Sequence, residues 1–218
     1  MPGKNGEHVH TAANIRYGVE NSLRLLQTDH LDLLQFHRSL TPAEFNAEGG
    51  LDEVLKLRDE GKVRFIGVSG SLPQLPEQVD MGIWDAFQIP YSALQREHEA
   101  AIAKASAAAA GIIIRGGVSR GMPSDFENRR YYMQPGTLPK DRWEGANLDE
   151  LLNGMSRMEF SLRFTLSNPD LDTTIVGTSN PDHLLGNLAA AAKGPLPADV
   201  LEEARRRLTA AGSAPQPV

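Results

Sequence analysis

The chain has 218 residues, 40% of them hydrophobic and 23% charged, with a formal net charge of -6 and no cysteine. These values suit a single domain over 1–218. They exclude disulfides, thiol nucleophiles and cysteine-ligated metals, and the acidic balance argues against a nucleic-acid partner, because phosphates need a basic surplus.

In chain order, the stretch 1–10 is polar and reads as flexible, with none of the apolar core of a secretion signal. Thr11 caps a predicted helix running to about Gln27, with Ile15, Val19, Ser22, Leu23 and Leu26 on one side. Leu31 to His37 reads as a strand. A helix from about Leu51 to Glu60 ends at Gly61, a left-handed C-cap. Val63 to Ser69 is a second strand. A short helical piece is bracketed by Pro73 and Pro76, and Ala86 to Ile89 is a third strand, stopped by Pro90. The Ala-rich stretch from Glu97 to Ala110 is helical and ends at Gly111, before a fourth strand, Ile112 to Arg115. Gly116 to about Asn147 reads as a loop and Leu148 to Leu166 as one helix. Asp172 to Val176 is a fifth strand, followed by helices at about Pro181 to Ala192 and Ala198 to Ala211. The stretch 212–218 reads as a flexible tail. No apolar run reaches the roughly 20 residues that span a bilayer, so no membrane partner and a cytoplasmic location are expected.

Short apolar strands alternating with helices imply parallel βα units buried on both faces. Pattern alone leaves a (β/α) barrel and a doubly wound sheet both open. Several residues at strand ends carry chemistry in either case. His37 is a hydrogen-bond donor for a carbonyl, or a structural histidine satisfied by backbone. Gly177-Thr178-Ser179-Asn180-Pro181 leads into a helix whose N-terminus favours phosphate, or is a plain capped helix. Arg115-Gly116-Gly117 ends a strand, where adjacent glycines allow close ligand approach. Arg120 is a further phosphate contact or a solvated loop charge. The segment from Asp125 to Trp143 is a cofactor-covering belt or a partner surface. No His, Asp or Glu spacing points to a metal.

Four stretches together resemble one family. They are Ser22-Leu-Arg-Leu-Leu-Gln-Thr-Asp-His-Leu-Asp-Leu-Leu-Gln-Phe-His37, Gly61-Lys-Val-Arg-Phe-Ile-Gly-Val-Ser69, Phe87-Gln-Ile-Pro-Tyr-Ser92, and Thr174-Ile-Val-Gly-Thr-Ser-Asn-Pro-Asp-His-Leu-Leu-Gly-Asn187. In order and spacing they are similar to the aldo-keto reductases. The resemblance implies a partial (β/α)8 TIM-type barrel, with the five strands as the fourth to eighth and the first three βα units missing. It implies NAD(P)H-dependent reduction of an aldehyde or ketone, with NADP(H) placed ahead of NAD(H) as cofactor and a small carbonyl compound as substrate. His37 takes the carbonyl-orienting role. Ser69 and Gln88 hold the nicotinamide carboxamide, with Gly70 where the family usually has Asn. Arg115 lies beside the nicotinamide. Gly177, Thr178, Ser179, His183 and Asn187 meet the adenosine phosphate end, with His183 in place of the usual Arg and Gly186 in place of an acidic or amide residue.

The family's catalytic Asp, Tyr and Lys have no counterparts that can be identified. Tyr17, in a superficially similar HTAANIRYG run, has the wrong spacing and reads as a helix residue; Lys4 follows no strand. The alternative reading is therefore a non-catalytic nucleotide-binding or scaffold remnant. Missing strands also imply self-association through an exposed sheet edge.

Overall fold

The computed structural model describes residues 10–119 and 139–218. The elements run α1 (Ala12–Leu26), β1 (Leu31–Phe36), α2 (Pro42–Asn46), α3 (Gly50–Asp59), β2 (Val63–Ser69), α4 (Leu75–Asp80), β3 (Ala86–Pro90), α5 (Glu99–Ala107), β4 (Gly111–Arg115), α6 (Pro139–Gly145), a 3-10 turn (Leu148–Leu151), α7 (Arg157–Leu166), β5 (Thr173–Ile175), α8 (Pro181–Ala192) and α9 (Ala198–Ala210). The strands form one sheet in the order β1-β2-β3-β4-β5. The pairs β1·β2, β2·β3 and β4·β5 are parallel. This is an α/β fold in which every chain reversal between neighbouring strands passes through helix, as parallel pairing requires.

The described residues group into two compact units. One runs to Gln88 and includes Ala107–Gly111; the other comprises Ile89–Ser106 and the chain from Ile112. In the first unit, Thr11 caps α1 by accepting from the Asn14 amide at 3.3 Å, and Gln27 closes it in the left-handed region. The expected helix side is buried only at Val19; Leu26 is exposed. α2, which the sequence reading passed over, starts with a capping box in which Thr41 and Glu44 satisfy each other's backbone. The core centres on Phe36, whose ring meets Phe45 at 5.0 Å and Trp84 at 5.8 Å, both edge-on. Arg16 ties α1 to α3 through Glu53 and Glu60. Hydrogen bonds from Arg16, and then Lys62, pull the Glu60 carboxyl down to about 2.

In the second unit, Trp143 is fully buried against Phe160, its indole N–H donating to Asp149 at 3.1 Å. This residue, read as part of a cofactor-covering belt or a partner surface, is core. The single helix expected over Leu148 to Leu166 is broken, because Asn153 and Gly154 are left-handed (φ 46° and 84°), and Ser156 caps α7 anew. The expected loop after Gly116 contains α6. α5 stops at Ala107, short of the expected Ala110, with Ala109 at φ 60° making the turn while Gly111 already belongs to β4.

The tail read as flexible is held at its start. Ser213 is buried and donates to the Ala93 carbonyl at 3.0 Å, and the Gln216 amide donates to the Glu97 carbonyl at 3.1 Å. Buried Arg96 donates to the carbonyls of Arg205 and Ser213 and to the Thr209 hydroxyl, each at 3.1 Å, and pairs with Glu99 at 2.8 Å. No sequence pattern marks this anchor, whose partners other than Glu99 lie more than 100 residues away. Residues 1–9, Arg120 and Asp125 to Leu138 lie outside the described residues, and so do the readings placed on them, Lys4 included.

Candidate functional site

In the first unit, the packing of Phe36 fixes where β1 ends. The Phe36↔Val68 register brings His37, the next residue, level with Ser69. His37 is exposed and lines a cleft of about 400 Å³ with His10, Asn14 and Gly18. Gln35 lines the same cleft, and its Nε2 is buried without a hydrogen-bond partner among the described residues. Sequence reasoning missed Gln35, although a strand's period of two puts residues 35 and 37 on one face.

Ser69 ends β2, is buried, and lies opposite Gln88 in register; the Gly70 amide donates to the Gln88 carbonyl at 3.2 Å. Neither Ser69 nor Gln88 lines the His37 cleft. Gly70 is enclosed. A Cβ there would lie 2.5 Å from Gln78 Oε1, and Gln78 is fully buried, donating to the Leu40 carbonyl at 2.7 Å. Gly70 is therefore matched by a glutamine filling the space beside it.

Tyr17 is 58% exposed on α1, outside the cleft lining. In the second unit, Tyr91 is fully buried and donates to Glu99 at 2.9 Å. Burial, with the Glu99 charge and hydrogen bond adding to it, pushes its hydroxyl pKa far up, so it stays protonated at neutral pH.

The second unit holds the other expected contacts. Arg115 ends β4 opposite Ile175. Its charge acts on buried His98, whose pKa is lowered first by burial and then by Arg115. The two glycines that follow divide their work differently from the expected ligand approach. Gly116 takes φ 73°, while a Cβ on Gly117 would lie 2.5 Å from Thr174 Oγ1; Thr165 donates to the Gly117 carbonyl at 2.6 Å. Gly117 serves packing.

After β5, Asn180 caps α8, accepting from the Asp182 amide at 2.9 Å, and its own amide donates to Thr178 Oγ1 at 3.1 Å. Gly177, Thr178, His183 and Asn187 line a cavity of about 580 Å³; Ser179 and Arg115 do not. Side chains at Gly177 and Gly186 would meet nothing within 4 Å. Opposite stands Glu159, both of whose oxygens accept from Lys193 at 2.9 Å. The volume suits a small-molecule subsite, and the capped helix start offers N–H donors and a positive dipole end to phosphate. Among the described residues no group of three His, Asp or Glu is placed to hold a metal, and no helix is long and apolar enough to cross a membrane.

The model of the aldo/keto reductase family matches residues 2–207. Aldo-keto reductase YhdN of Bacillus subtilis is 31% identical over 192 residues, covering 79% of this chain and 56% of its own length. L-galactose dehydrogenase of Arabidopsis thaliana is 24% identical, covering 83% of this chain and 58% of its own. The holo structure of aldo-keto reductase AKR11C1 from Bacillus halodurans superposes with a TM-score of 0.76 at 25% identity, over 92% of this chain and 68% of that one. The chain thus spans a little over half the length of these two curated relatives.

Proposed function

The chain belongs to the aldo/keto reductase family, and from that premise we propose that it binds a nicotinamide dinucleotide and carries part of the machinery for carbonyl reduction. The observation that carries this reading is the cavity between the end of β5 and the start of α8, lined by Gly177, Thr178, His183 and Asn187. Backbone donors of the Gly177–Ser179 turn and the first turn of α8 hold the phosphate end. Asn187, one helical turn beyond His183, reaches the adenosine. When bound, the nicotinamide supplies hydride for an aldehyde or ketone. In the first unit, taken by itself, Ser69 and Gln88 are suited to a carboxamide, and His37 to donating a hydrogen bond to a carbonyl oxygen, where negative charge builds. The protein works in the cytoplasm, and its five strands correspond to the fourth to eighth of the family's barrel.

A second reading, a nucleotide-binding remnant without turnover, is favoured by the two tyrosines among the described residues. Tyr91 is sealed in the core and Tyr17 lies outside the cleft. A positioned acid contributes about 10²–10⁴-fold to such a step, so the chain alone should reduce an activated aldehyde slower than a complete relative by roughly that factor. The test follows nicotinamide oxidation with 4-nitrobenzaldehyde. Residual turnover falling further in His37→Ala supports the catalytic reading. Binding without any turnover supports the remnant. Near-normal turnover that disappears in Tyr17→Phe would overturn the assignment of Tyr17 as a helix-surface residue.

A further inference from the structure

We infer that the cavity between β5 and α8 selects against a phosphate on the adenosine ribose, so that this chain takes NAD(H) in preference to NADP(H). The inference rests on the dinucleotide reading above and reverses the cofactor order that the resemblance implies.

The argument is a charge census of the cavity. Its described lining has four charge-bearing or titratable residues: Glu159, Asp182, His183 and Lys193. Lys193 is its permanent cation, and that ammonium is already held by both oxygens of Glu159 at 2.9 Å. Arg163 also reaches Glu159, at 3.3 Å, but does not line the cavity, and its other nitrogens are held by the carbonyls of Gly194 and Pro195. Asp182 has no cationic partner among the described residues. It stands in the first turn of α8, its amide tied to the Asn180 cap, and its side chain is exposed.

A ribose 2′-phosphate adds about 1.5 to 2 negative charges at neutral pH. It needs a cation to meet it, best a guanidinium fork, and here it meets an uncompensated carboxylate and an imidazole. A ribose hydroxyl needs the opposite, an acceptor for its O–H. A carboxylate provides one, and acidic residues recognise the 2′-hydroxyl of NAD in this way in doubly wound nucleotide folds. Asp182 is therefore the residue that sets the preference, with His183 failing to oppose it.

The experiment is calorimetric titration of the full chain with NADH, NADPH, 5′-AMP and 2′,5′-ADP at low salt. NADH should bind tighter than NADPH by roughly five- to tenfold, the scale of a few exposed like-charge contacts. The AMP fragment should show the same preference over 2′,5′-ADP. Asp182→Ser should bring the pair close to parity, and Asp182→Ser with His183→Arg should invert it. In 1 M salt, where the screening length is about 3 Å, the wild-type ratio should shrink, which a purely steric exclusion would not show. NADPH binding as tightly as NADH, or a ratio unchanged by Asp182→Ser, overturns the inference and leaves the dinucleotide site standing. No binding of any of the four ligands overturns both.

Discussion

The two half-sites are supported in opposite ways. The strand ends at Ser69 and Gly70 lie inside packed structure. Both are buried, Gln78 fills the space beside Gly70, and a Cβ on Gly67 would lie 2.5 Å from the Ala86 carbonyl. The β5–α8 region is supported from one side. Ile175, Leu185 and Leu188 are 54%, 64% and 59% exposed, and of the residues of α8 only Ala190 is buried. Polar placement is therefore precise by packing in one region and by local capping in the other. A residue held by its neighbours tolerates little change; a residue held by a cap keeps its place while its surroundings stay open. Open apolar surface of this kind is a liability for a sheet edge.

The largest effect should come from covering that surface. β5 ends the strand order and α8 presents Leu184, Leu185 and Leu188 beside it, so a second copy pairing through this edge would bury apolar side chains worth about 1.5–3 kcal/mol each. We expect concentration-dependent self-association in light scattering, abolished by Leu185→Glu with Leu188→Glu. Those substitutions sit on exposed helix positions and should leave the melting temperature of the monomer nearly unchanged. A dispersed monomer at high concentration would show that the open face is tolerated as it stands.

The packed region is tested by restoring what the family usually carries. Gly70→Asn puts a side chain where Gln78 Oε1 already lies at 2.5 Å, and overpacking a closed site costs about 1–3 kcal/mol. Denaturant unfolding should show a loss of that size. Gly70→Asn combined with Gln78→Ala should recover part of it, since the space beside residue 70 opens and the unpartnered Oε1 disappears. A Gly70→Asn chain as stable as the original would mean that Gln78 swings aside at little cost.

Much of this contrast was legible in the sequence, and the rest had identifiable reasons. The run Val63 to Ser69 was read with its observed bounds, because β-branched and aromatic residues follow a glycine C-cap. The α8 start was read from Asn180-Pro181, a cap whose chemistry is wholly local. Local signals were also overlooked. Thr41-Pro42 with Glu44 announces α2, and Asn153-Gly154 announces the break before α7. The role of Gly117 was not legible, because Thr174 meets it from a strand almost 60 residues on. Nor was that of Arg96, whose partners are carbonyls that no side-chain pattern marks. In the site, strand-end position was readable for His37, Ser69 and Gln88. Whether a strand-end residue also lines a cavity was not, because lining depends on neighbours from other elements.

The smallest effect concerns a polar link between α7 and the end of α8. Glu159 on α7 accepts from Lys193 just past α8 and from Arg163 one turn on. The Lys193 hydrogen bond, ahead of its charge and of the Arg163 contacts, holds the Glu159 carboxyl below its ordinary value of 4.5. The sign follows from that direction. A carboxyl whose folded pKa is depressed contributes stability above its unfolded value and loses it as pH falls through the folded one. The link is therefore intact at neutral pH and weakens only below about 4.5. Lys193 is more than half exposed, so solvent screening keeps the contribution of the pair small. Carboxyl-carbon NMR should show Glu159 titrating below the ordinary glutamate value, and Lys193→Met should move it upward, since the leading cause of its depression is gone. Arg163 remains in that variant, so the return should be incomplete. A Glu159 titration unmoved by Lys193→Met would mean that Arg163 alone sets it, leaving the Lys193 ammonium available to an anion in the cavity and weakening the case for NAD(H).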